Sequence, residues 1–121
     1  MSTVVKEKYL MNWYVGVKTT STSGYITDHF VSFYTPMYVY VFINSATGSP
    51  GTITINLAVD RINDPNSGWN PTPVQSWSVS SAPASYMFTA YPEEYPYIVT
   101  YSCPSCSSTA YYTVSINIMK P

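Results

Sequence analysis

Thr52-Ile53-Thr54-Ile55-Asn56-Leu57-Ala58-Val59 alternates between large aliphatic and small polar side chains. Successive side chains of a strand point to opposite faces, so Ile53, Ile55, Leu57 and Val59 share one side, and Thr52, Thr54 and Asn56 the other. The segment is predicted to be a strand with one dry and one wet face. Tyr112-Thr113-Val114-Ser115-Ile116-Asn117-Ile118 repeats the pattern with Tyr112, Val114, Ile116 and Ile118 inside, and Trp13, Val15 and Val17 alternate with Tyr14, Gly16 and Lys18 in the same manner.

Met37-Tyr38-Val39-Tyr40-Val41-Phe42-Ile43 departs from this pattern, because both of its faces are apolar or aromatic. The outer row, Tyr38, Tyr40 and Phe42, must then be covered, either by a central position in a sheet or by another subunit. Weaker strand signals run through residues 25–34, 75–80, 85–90 and 97–102, and an N-terminal strand is expected near residues 4–10. No window carries apolar residues at helical spacing free of Pro, Gly or β-branched runs. The prolines are expected between strands, Gly48-Ser49-Pro50-Gly51 as a turn, and Thr20-Ser21-Thr22-Ser23-Gly24 as a hairpin connection. Together these signals predict an all-β, single antiparallel β-sandwich of about eight strands. A jelly roll is favoured over an immunoglobulin-like topology, since the Cys…Trp…Cys spacing of immunoglobulin domains is missing.

At 121 residues the chain has the size of a single domain, spanning 1–121, and can bury a sizeable core. Hydrophobic residues make up 45% of it, and thirteen residues are Tyr. Charged residues make up only 9%, against about 25% in an average soluble domain. The polar surface is therefore built from hydroxyls and amides, which bind water without changing protonation. Such a surface suits acid, salt, or burial against partners. A net charge of −1 argues against nucleic acid or an anionic membrane as partner. No apolar run reaches the roughly 18 residues of a membrane-spanning helix. Lys6, Glu7 and Lys8 stand where a secretory signal would be apolar, so synthesis without an export signal is expected.

Few constellations could carry chemistry. Cys103-Pro104-Ser105-Cys106 has the spacing of a thioredoxin-type dithiol, but that chemistry needs a helix after the first Cys, and none is predicted here. The pair reads instead as a local disulfide, or as two reduced thiols in a turn. With His29 as the single histidine, a zinc site would lack ligands. Asp60, Asn63, Asp64 and Asn66 lie in a long irregular stretch, residues 60–73. They could offer oxygens to Ca²⁺, although their spacing matches ordinary turn chemistry equally well. Asp28 and His29 supply two members of a hydrolase triad, but no nucleophile elbow accompanies them. Glu93 and Glu94 are adjacent and would point apart on a strand, so they make no glycosidase pair. Neither catalysis nor a cofactor is expected. Aromatic residues in or near loops, Trp69, Trp77, Tyr91, Tyr95 and Tyr97, are candidates for contact with a partner or a sugar.

In composition the whole chain resembles small β-sandwich capsid and surface proteins of viruses that infect archaea in hot acidic springs. Those proteins are likewise rich in Tyr, Ser, Thr and Pro and poor in charge. The resemblance implies a virion component (capsid, spike or other surface protein) that associates with itself and with other virion proteins. The alternative is an extracellular or cell-surface binding module, for glycans among other ligands, with Trp69 and Trp77 as stacking platforms.

Overall fold

Among the described residues the chain forms nine strands: β1 (Asn12–Lys18), β2 (Ser23–Tyr25), β3 (Phe30–Ser32), β4 (Met37–Thr47), β5 (Ile53–Val59), β6 (Thr72–Val79), β7 (Ala84–Ala90), β8 (Glu93–Ser102) and β9 (Tyr111–Met119). They come from a computed structural model that describes residues 12–32, 34–61 and 70–120. The strand expected at residues 4–10 lies outside the described residues. No helix occurs among them.

The strands form two antiparallel sheets. The front sheet has the order β1-β9-β4-β7 and the back sheet β2-β8-β5-β6, with β3 also paired to β8. The pairs β1·β9, β4·β7 and β5·β6, with β2 and β3 sharing β8, are those of one long hairpin rolled upon itself. Counting β2 and β3 as one interrupted strand, this is the two-Greek-key order of a jelly roll.

The inward rows meet in one core. Met37, Val39, Val41 and Ile43 of β4 and Val114, Ile116 and Ile118 of β9 face Ile53, Ile55, Leu57 and Val59 of β5 and Val99 of β8. Each aliphatic side chain buried in this way contributes about 1.5–3 kcal/mol. Val15 and Val17 of β1 pack against the same core from the edge.

Four local expectations are corrected. Residues 25–34 do not form one strand. The chain leaves β2 at Tyr25, both Ile26 and Thr27 bond the Val99 carbonyl, and pairing resumes only at Phe30. Residues 20–24 are not a hairpin connection, because β1 and β2 belong to different sheets. The strand at residues 37–43 continues to Thr47 through a register shift between Ile43 and Ser45. Two prolines lie inside strands rather than between them. Pro73 is on edge strand β6, where the register shifts between Leu57 and Ala58, and Pro96 is at the start of β8, where β3 pairs irregularly. Both are places where a missing N–H does little harm.

The turn at residues 48–51 forms as expected and arches from one sheet to the other. Gly48 has φ +68°, and a Cβ there would lie 2.7 Å from the Thr109 carbonyl oxygen. Gly48→Ala is therefore expected to lower stability by about 1–3 kcal/mol. Gly16→Ala is the control, since its Cβ would meet nothing closer than 3.8 Å. Urea denaturation should show a lower midpoint for the first and a nearly unchanged midpoint for the second.

Candidate functional site

The two outer faces of the sandwich differ in chemistry. On the back sheet, the outward residues of β5 and β6 form a ladder of side-chain hydrogen bonds: Thr52 to Ser80 at 2.8 Å, Thr54 to Ser78 at 2.7 Å, and Ser76 donating to Asn56 at 2.6 Å. The register continues this row across β8 with Thr100 and Ser102. These groups bond one another and water, so the face is wet. At its edge a shallow groove is lined by Ser23, Gly24, Tyr25, Pro71, Thr100 and Tyr101, with Tyr25 exposed.

The front sheet presents the opposite surface. Tyr38 pairs across with Met119, Tyr40 with both Met87 and Asn117, and Phe42 with both Ser85 and Ser115. Phe42, Met87 and Met119 are exposed, and Tyr38 and Tyr40 are half-buried. The polar groups among them are partly covered by their neighbours. Asn44 donates to Ser115 at 2.6 Å, and the Asn117 Oδ1 is buried without a hydrogen-bond partner. The result is a contiguous strip of aromatic rings and thioethers, the kind of surface that marks an interaction site on a soluble domain.

A second aromatic feature stands at the corner where β3 leads into β4. Tyr34 has φ +58°, a left-handed backbone that L side chains adopt rarely, and its ring is 95% exposed. Val31 is exposed three residues before it, and Ser32, Pro92, Glu93 and Glu94 line a depression with Tyr34; Tyr91, also exposed, directly precedes Pro92 in that lining.

The loop aromatics singled out from sequence do not form one site. Tyr97 is buried rather than exposed. It stacks on Phe30 at 5.8 Å and donates its hydroxyl to the Tyr91 carbonyl at 2.6 Å. Trp77 is not an open platform, because its inward ring stacks on Tyr86 at 5.4 Å and closes the sandwich between edge strands β6 and β7. Tyr95 is half-buried against the core, and only Tyr91 is exposed. Trp69, Asn63, Asp64 and Asn66 lie outside the described residues. Sequence reasoning missed Tyr34, Met87 and Met119. The strand register that sets the two methionines beside Tyr40 and Tyr38 leaves no local pattern.

Cys103 and Cys106 form a disulfide, with both residues buried. It seats the β8–β9 turn against two others. Cys103 bonds the Thr22 carbonyl through its N–H, and its Sγ lies 3.6 Å from the Pro50 carbonyl oxygen. The Thr19 hydroxyl meets Cys106 Sγ at 3.4 Å, and the Tyr112 hydroxyl donates to the Gly51 carbonyl. Three turns at one end of the sandwich therefore converge on one bridge.

At the other end, His29 Nε2 lies 2.9 Å from buried Asp60 Oδ2, tying the β2–β3 turn to the end of β5, while Nδ1 lies 3.7 Å from Asp28 Oδ1. Among the described residues, no group of three or more His, Cys, Asp or Glu side chains could hold a metal ion. Glu93 and Glu94 are consecutive on β8, and the Glu94 N–H bonds its neighbour's carboxylate.

No protein-family model matches the chain, and no curated protein matches it in sequence. Among solved structures, it is similar to a protein described under "Bacillus endospore appendages form a novel family of disulfide-linked pili". That match has 16% identity and a TM-score of 0.49, covering 93% of this chain and 89% of the other. It is also similar to PirA, with 17% identity and a TM-score of 0.45, covering 91% and 93%. Values this low carry nothing about site, partner or activity.

Two outcomes follow from this geometry. A bridge closing so short a loop removes about 2 kcal/mol of unfolded-state entropy. Replacing both cysteines by Ser should therefore cost about that much in urea denaturation and leave the far-UV circular dichroism of the sheets unchanged. The second concerns pH. Burial raises the Tyr112 hydroxyl above its ordinary value, and burial together with the Glu93 carboxylate raises Tyr97, partly offset by Arg61. A raised folded-state value means that the stabilisation is complete below the ordinary tyrosine value near 10 and is lost as pH climbs through the raised ones. The urea midpoint should thus fall above about pH 10, and Tyr112→Phe should reduce that fall.

Proposed function

We propose that this protein is a structural surface component that acts by self-association and without catalysis. In the narrowest form of this proposal it is a capsid or spike subunit of a virion. One observation carries the assembly reading: the strip of Tyr38, Tyr40, Phe42, Met87 and Met119 on the outer face of the front sheet. A strip of this kind is a liability on a monomer and an asset in an interface, where aromatic residues and Met are enriched. Edge strands β1 and β7 border the same sheet, and each has one strand neighbour in it among the described residues. The hydroxyl ladder on the opposite sheet supports an orientation within the assembly, with the front sheet inward against neighbours and the back sheet toward water.

The virion form rests on composition. A surface poor in carboxylates keeps its character in acid, and the chain's Tyr-, Ser-, Thr- and Pro-rich make-up resembles that of small coat proteins of archaeal viruses. Copies of this chain, with or without other coat proteins, are the partners that fit.

A second reading, an extracellular module that binds glycans, is favoured by the groove at Tyr25, where an exposed ring lies beside Ser23 and Thr100. It takes the place of the expected platform at Trp77, whose ring stacks on Tyr86.

Sedimentation velocity separates the two. The assembly reading predicts species larger than the monomer, growing with concentration at both neutral and acidic pH. Tyr40→Ser with Met87→Ser should weaken that growth at least tenfold in apparent Kd. A strict monomer at millimolar concentration under both conditions would exclude self-association and leave the binding module.

A further inference from the structure

Charge is divided between the two sheets. Among the described residues, every carboxylate belongs to the back sheet: Asp28 in the β2–β3 turn, Asp60 at the end of β5, and Glu93 and Glu94 at the start of β8. Arg61 follows Asp60 on the same side. Lys18 ends β1 and Lys120 follows β9, so these two cations stand at opposite ends of the front sheet. Lys18 lies over the Tyr111 ring at 5.7 Å.

The two aromatic features fall on opposite sides of this division. The strip of Tyr38, Tyr40, Phe42, Met87 and Met119 lies between the lysines. The corner that holds Tyr34 out at 95% exposure is lined by Glu93 and Glu94. Two strips placed face to face would oppose lysine to lysine, and two corners placed together would oppose carboxylate to carboxylate. Like charges at a contact suppress the pairing, and opposite charges steer and register it. Among the described charges, strip against corner brings the lysines to the carboxylates, and Arg61 is the one cation on the carboxylate side.

We propose that copies of this chain associate head to tail, the Tyr34–Tyr91 corner of one seating on the Tyr40–Met87 strip of the next. This rests on the self-association proposed above and specifies its geometry. The contact is heterologous, so it propagates into a ring or a filament and does not stop at a dimer. The rings supply the affinity. Methionine thioethers suit the receiving side because they adapt to an incoming aromatic edge. The surface charges, each weak alone, set the direction.

Complementation tests the geometry. One variant removes the corner (Tyr34→Ser with Tyr91→Ser) and the other removes the strip (Tyr40→Ser with Met87→Ser). All four positions are exposed or half-buried, and circular dichroism checks that each variant folds. Each alone should be monomeric at concentrations where the unaltered chain assembles. Mixed in equal amounts, they should form a one-to-one heterodimer and nothing larger, because each retains the half the other lacks. As an independent check, Glu93→Lys with Glu94→Lys should weaken assembly at least tenfold at low salt, and adding Lys18→Glu should recover part of the loss.

A corner variant that assembles as well as the unaltered chain would mean that the strip pairs with itself. That would overturn the head-to-tail arrangement and leave self-association standing. A mixture with no heterodimer would overturn it equally. An unaltered chain that never assembles would remove both proposals.

Discussion

Strand β4 is apolar on both faces, and the sandwich can bury only one of them. Its inner row, from Met37 to Ile43, fills the core between β9, β7 and the back sheet. The central position of the strand satisfies its backbone on both edges, but among the described residues the outer row of Tyr38, Tyr40 and Phe42 gains only lateral cover from neighbouring side chains. The surplus apolar surface is thus a consequence of the fold, and the aromatic strip is where it emerges. The wet back sheet shows that this sequence can build a hydroxyl face where one is wanted. Thr54, Asn56, Ser76 and Ser78 do so on β5 and β6.

Scarcity of ionised groups gives the few that remain an unusual weight. In a domain with a quarter of its residues charged, four carboxylates on one side and two lysines on the other would vanish into a mixed background. Here they stand on a surface with few other charges, and among the described residues the carboxylates lie with Arg61 on the back-sheet side and the lysines on the front sheet. Weak pairs can then still choose one orientation over another, because little else competes with them. The disulfide contributes rigidity rather than chemistry. By gathering three turns at the end remote from the Tyr34 corner, it fixes the arch between the sheets.

Much of the fold could be read from period-two alternation. β1, β5 and β9 are legible in residues that alternate over six to eight positions, β4 in a run apolar on both faces and β7 in a weaker signal over residues 85–90, and the sequence favours the jelly roll over the immunoglobulin-like order. What failed was local and had local causes. In sequence β2 and β3 read as one strand because Ile26 and Thr27 are as strand-like as their neighbours, although their N–H groups both turn to Val99. Pro73 and Pro96 were placed between strands because a proline in a strand is tolerated only at edges and irregular pairings, and register is invisible before folding. The candidate site was half visible. Tyr38, Tyr40 and Phe42 followed from the two-faced apolar run, whereas Met87 and Met119 join them only through long-range pairing. Tyr97 and Trp77 looked like loop aromatics, but inward parity places both rings against the core. Nothing in the residues around Tyr34 announced a left-handed backbone at a tyrosine.

Hydroxyl-radical footprinting across a concentration series addresses the outer face of the front sheet most directly, since methionine and tyrosine are among the side chains that it oxidises. As the protein is concentrated, oxidation at Met87, Met119 and Tyr40 is expected to fall severalfold, while Tyr25 on the back sheet stays as reactive as in dilute solution. Unchanged oxidation of Met87 and Met119 at every concentration, or protection confined to the back sheet, would contradict the assignment of the aromatic strip as the surface through which copies meet.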